Sequence, residues 1–131
     1  MKNTILALAA FSLVSGCAVI PDAPNVDGNV APAGYRVSLD RPVAVGDVVV
    51  TPKRVVEDSR CAQNARCVWA GRVIVETRID GAGWRDTANI ALGETFATHG
   101  HVIRLASVSP EKTAGEETAP GRYYFTYEDA R

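Results

Sequence analysis

From Gly34 onward this chain is built of short runs of alternating apolar and polar residues, and no stretch carries a helical period. Gly, Pro or Asp cuts the pattern at intervals of about 8–12 residues, the spacing of an all-β sandwich or barrel. Tyr35, Val37 and Leu39 alternate with Arg36 and Ser38 before Pro42 stops the run. Asp47 to Thr51 is a second run, and Pro52 separates it from Lys53 to Glu57. Proline cannot donate to a ladder, so Pro52 marks an edge position or a bulge. Val68 to Ile79 is the longest candidate strand, with Val73, Val75, Thr77 and Ile79 on one face. Asp80-Gly81-Ala82-Gly83 supplies hairpin-turn chemistry. The return strand spans Trp84 to Leu92, with Trp84, Ala88, Ile90 and Leu92 on one side. Thr95 to Thr98 is short and weak, and His101 to Val108 turns Ile103 and Leu105 inward. After a polar loop from Ser109 to Gly121, Arg122 to Glu128 closes the domain, with Tyr123, Phe125 and Tyr127 inward.

About seven strands follow, and they predict an all-β fold, an antiparallel β-sandwich, with a small β-barrel as the alternative. The chain is 47% hydrophobic but only 7% aromatic, so the expected core is Val, Ile, Leu and Ala. The net charge of −1 gives no push toward nucleic acid. Eleven of the 14 basic residues are arginine, which with the abundant alanine fits a GC-rich coding sequence better than an anion-binding role.

The N-terminal residues read differently. Lys2 gives a positive start, Ile5 to Val14 is an apolar run, and Val14-Ser15-Gly16 leads into Cys17. Ten or so apolar residues are too few for a membrane-spanning helix, which needs roughly 20. The segment resembles the signal peptide of bacterial lipoproteins, in which the cysteine becomes the lipidated first residue of the mature protein. That resemblance implies a diacylglyceryl group at Cys17, usually with an amide-linked acyl chain such as palmitate, and stable anchoring. Ala18 rather than Asp after the cysteine points, by the enterobacterial sorting rule, to the outer membrane facing the periplasm. The expected organisation is therefore a signal peptide over 1–16, a lipidated cysteine and Pro/Ala-rich tether over 17–33, and a β-sandwich domain over 34–131. An extended tether of this length reaches about 50 Å at most, at roughly 3.1 Å per residue.

With Cys17 lipidated, Cys61 and Cys67 remain, and an even pair in an oxidising compartment reads as a disulfide. A metal site or a redox pair is the alternative. Five intervening residues fit neither a C-x-x-C redox motif nor a tetrahedral zinc set lacking two further ligands. Asp58-Ser59-Arg60-Cys61 and, after the same gap, Cys67-Val68-Trp69-Ala70-Gly71 resemble a group of small exported bacterial proteins with a DSRCP-x4-CVWAG motif. Many of these are lipoproteins, and they have no established biochemical role. The likeness runs from about Gly34 to Tyr127 and departs at Ala62, where the motif usually carries proline. It implies a β-rich domain and a Cys61–Cys67 bridge, and no activity.

Physically, Asp58 and Ser59 are placed to bond backbone groups at a strand exit, and Gly71 to permit a bulge or close approach. Trp69 is expected to pack over the disulfide and the core. Arg60, Gln63, Asn64 and Arg66 form a candidate interaction loop, since a short closed loop loses little entropy on binding. His99 and His101 share a face if they lie on one strand and are a weak metal candidate. A nucleophile–base set assembled from Ser59, a histidine and Asp58 matches no catalytic motif. Tyr123, Tyr124 and Tyr127 are a sugar-face candidate, although the alternation leaves only Tyr124 outside. The expected function is a non-enzymatic envelope lipoprotein without cofactor, a structural or protein-interaction module with an envelope-protein or cell-wall partner and no nucleic acid. The alternatives are a small periplasmic inhibitor or ligand-binding module using the Cys61–Cys67 loop, and a metal-binding protein using His99 and His101.

Overall fold

A computed structural model describes residues 29–131. The signal segment over 1–16, Cys17 and most of the tether lie outside the described residues. Seven strands form two antiparallel sheets. They are β1 (Val43–Val45), β2 (Val48–Asp58), β3 (Val73–Gly81), β4 (Trp84–Ala91), β5 (Thr95–Thr98), β6 (His101–Ser109) and β7 (Tyr124–Asp129). The first sheet has the order β1-β2-β3-β4 and the second β5-β6-β7. Neither closes on itself, so the fold is a β-sandwich and not a barrel.

The inner faces follow from the alternation. Val73, Val75, Thr77 and Ile79 of β3 are buried, and they meet Ile103 and Leu105 of β6 and Phe125 and Tyr127 of β7. Val43, Val45, Val48 and Val50 complete the same core, so β-branched residues fill most of the first sheet's side. One polar pair lies inside it. The Thr77 and Tyr127 hydroxyls are 2.9 Å apart, and Thr77 Oγ1 donates to the Val75 carbonyl at 3.2 Å. Thr77 has spent its proton there, so Tyr127 donates to it, and burial pushes the Tyr127 hydroxyl pKa up.

The chain changes sheet at Leu92–Glu94. There the Leu92 N–H donates to Val73 in one sheet and the Gly93 N–H to Leu105 in the other. That corner turns Leu92 outward, where it is exposed, instead of continuing the inward face of β4. On the outer edge of β4, the register with β3 turns the Thr87 N–H away from its neighbour, and the Asp86 carboxylate accepts it at 2.9 Å. Thr98 of β5 donates to the other Asp86 oxygen at 2.8 Å.

Strand boundaries differ from the sequence pattern in several places: Val43–Val45, after the expected stop at Pro42, forms β1, and Arg122 lies in a 3-10 turn, so β7 starts at Tyr124. Tyr35 to Leu39 is not a strand: only Val37 pairs, with Phe125, and a turn closed by Arg41 N–H to the Ser38 carbonyl ends the run. The two runs about Pro52 are one strand, β2, whose register slips between Pro52 and Arg54 because the imide has no donor. The long strand starts at Val73, so Val68 to Arg72 belong to the preceding loop.

Thr77→Val is expected to strand the Tyr127 hydroxyl and to lower stability by about 1–3 kcal/mol in chemical denaturation. Adding Tyr127→Phe removes the orphaned group and recovers much of that loss.

Candidate functional site

Between the end of β2 and the start of β3 the chain makes an excursion over residues 59–72. Its two legs are sewn together. The Ser59 N–H donates to the Arg72 carbonyl at 2.8 Å, and the Cys61 N–H donates to the Ala70 carbonyl at 3.0 Å. Ser59 Oγ donates to the Arg72 carbonyl and accepts the Arg72 N–H. Gly71 has φ +67°, and a Cβ there would fall 1.7 Å from the Ser59 carbonyl oxygen, so only glycine fits this crossing. The Cys61–Cys67 disulfide then closes a small ring around 62–66.

That ring is docked sideways on the loop after β6. The Gln63 N–H donates to the Lys112 carbonyl at 2.9 Å, and Asn64 Oδ1 accepts the Ala114 N–H at 2.8 Å. Beneath it, Arg60 Nε and Nη2 grip both oxygens of Asp58 at 2.8 and 2.9 Å. The same guanidinium donates to the carbonyls of Val108 and Pro110 at 3.2 and 3.1 Å. The Tyr123 hydroxyl donates to Asp58 Oδ2 at 2.8 Å, and Lys112 Nζ donates to the Asp58 carbonyl. The bonds from Arg60 lower the Asp58 pKa to about 2, with Tyr123 helping and burial opposing. Burial, with the bond to Asp58, raises that of Tyr123.

Two expectations are corrected here. Arg60 is no contact residue of an open loop: its side chain is 13% exposed and committed to Asp58 and the backbone of β6. Trp69 does not pack on the disulfide or the core. It is 80% exposed and Val68 is 91% exposed, because the Gly71 crossing carries residues 67–70 away from both sheets. Gln63, Asn64 and Arg66 are exposed, although Gln63 and Asn64 also serve as braces.

The histidines lie elsewhere. His99 has φ +47° in the turn joining β5 to β6, so the pair does not sit on one strand. The His99 ring stacks on Trp84 at 4.1 Å between centroids, with His101 at 6.0 Å from the same indole. No cluster of three or more metal-ligating side chains occurs among the described residues. Trp84 pairs with Gly81 at one end of β3, whereas Asp58 pairs with Val73 at the other, so Ser59, Asp58 and the histidines are not brought together. Tyr123 and Tyr127 are buried, and Tyr124 is exposed with Arg36 over its ring at 5.0 Å.

Tyr123 and Lys112 as partners of Asp58 carried no sequence signal, being 65 and 54 residues distant. No protein-family model, curated protein or solved structure matches the chain.

Arg60→Ala is expected to leave the Asp58 carboxylate unpaired between the sheets and to cost about 3 kcal/mol in denaturant unfolding. Asp58 holds a depressed pKa, so its contribution is complete above the unfolded value of 3.8 and fades as pH falls toward about 2. Screened by nearby solvent, that contribution is on the order of 1–2 kcal/mol. Asp58→Asn should therefore remove this acid limb from a plot of stability against pH. Cys61→Ser is expected to cost about 2 kcal/mol in loop-closure entropy, read as a lower Tm under oxidising conditions.

Proposed function

We propose that this protein is a non-enzymatic interaction module of the bacterial cell envelope, one of the small exported proteins with the DSRCP-x4-CVWAG motif. In this reading a lipid on Cys17 holds it at a membrane, the outer membrane facing the periplasm, and the tether carries the sandwich to an envelope partner. The contact is made by the excursion over 59–72. What supports the reading is where bracing is concentrated. A disulfide, a crossed stem, an ion pair whose arginine also bonds the second sheet and a docked ring together fix a loop whose residues 63–72 are all exposed. An enzyme active site or a small-ligand site is built as a cleft with convergent polar groups. Here a hollow beside the brace, about 340 Å³, is lined by Arg60 and Lys112, and both are occupied with internal bonds. A rigid, outward loop loses little entropy when a partner covers it, which is the economy of an interaction surface.

Intact-mass analysis of the chain from its native envelope is expected to show a start at Cys17 with added acyl chains. An unacylated chain retaining residues 1–16 refutes the anchoring. In cells, photo-crosslinkers at positions in 62–69 should yield discrete adducts, and one at Tyr35, outside the excursion, should not. Equal labelling from both places refutes the assignment of the contact.

A further inference from the structure

We infer that Val68 and Trp69 are the anchor of this contact and insert into an apolar pocket, rimmed by carboxylates, on a protein partner. The inference rests on the interaction-module reading above and assigns its occupant. Both residues sit on an arch with tied feet. Cys67 is fixed by the disulfide on one side, and on the other the Ala70 carbonyl accepts the Cys61 N–H and Gly71 lies against Ser59. They are the two most exposed large apolar residues among those described, at 91% and 80%, ahead of Tyr35 at 63%. Solvent-facing indoles held in place by covalent and backbone constraints are the kind of group that dominates binding energy at protein interfaces, where Trp and Arg are enriched.

Charge selects the partner. No Asp or Glu occurs between Asp58 and Glu76, whereas Arg66 and Arg72 flank the arch. Arg72 is engaged by Glu57 at 2.7 Å, and Arg66 is exposed with no hydrogen bond or ion pair to the described residues, so it is available for a carboxylate. A flat anionic membrane fits less well. Glu111, Glu116 and Glu117 are exposed beside Gln63 on the loop against which the disulfide ring docks, and a broad anionic surface meets them together with the arch, whereas a pocket that takes only residues 68–69 leaves them outside. A second copy of this chain also fits poorly. Around its apolar hollow at Leu39, Val55, Pro120 and Tyr123 the nearby carboxylates of Asp40 and Glu76 are already paired with Lys53 and Arg54, so the hollow offers Arg66 no free carboxylate. A glycan would stack on the indole but make no use of Val68, and the Asn64 side-chain oxygen in the same excursion is already bonded to the Ala114 N–H.

The test uses the full chain in its native cells, with benzoylphenylalanine placed separately at Val68, Gln63 and Tyr35 and adducts mapped by mass spectrometry. The expected result is one protein adduct from Val68, at an apolar peptide flanked by Asp or Glu. Its yield should fall about tenfold or more on Trp69→Ala and on Arg66→Glu and persist on Trp69→Phe. Both damaging variants should melt within about 3 °C of the parent, since neither side chain is packed. An adduct from Val68 with lipid, glycan or a second copy overturns the inference, as does a yield indifferent to Trp69→Ala. An adduct from Gln63 alone overturns the anchor and leaves the braced contact standing. No adduct from either position overturns both.

Discussion

The Asp58–Arg60 pair is the joint on which the upper end of the sandwich depends. Asp58 is the last residue of β2, in one sheet, and Arg60 reaches the backbone at the end of β6, in the other. Apolar packing holds two sheets face to face, yet it is non-directional and leaves their ends free to slide. A bidentate guanidinium with two further carbonyl acceptors supplies direction. Tyr123, at the threshold of β7, adds a third strand end to the same carboxylate. Removing water from this pair carries a cost, which the satisfied donors offset.

The excursion over 59–72 is built on that joint. With the strand ends fixed, Ser59 can meet Arg72 and the Gly71 backbone can pass against Ser59 without a side chain between them. The disulfide then tightens a ring already seated on Lys112 and Ala114. The order of these constraints explains why Trp69 is outside: the crossing leaves no inward path for the residues it carries.

The sheets were legible in the sequence because period-two alternation is a direct consequence of strand geometry. Val73 to Ile79 and Phe125 to Tyr127 read correctly for that reason. Two kinds of error have physical causes. The run at Tyr35 alternates like a strand but meets a turn at Ser38–Arg41, which alternation does not sense. The hydrophobicity of Trp69 points it inward, while the backbone crossing that turns it out depends on a contact between Ser59 and Gly71 that spacing alone does not reveal. Within that loop burial runs opposite to residue type: Arg60 is the buried brace, and Val68 and Trp69 face solvent.

The free side of β4 has a separate consequence. Among the described residues no strand pairs with the outer side of β4, and such an edge is a template on which another chain could grow. The Asp86 carboxylate occupies the Thr87 N–H there, and Thr98 ties the same side chain back across the gap. At that position an incoming strand would have to displace a charged acceptor and break that tie before bonding. The middle of this edge is thereby a poor place for a second chain to add to the sheet, even at high local density.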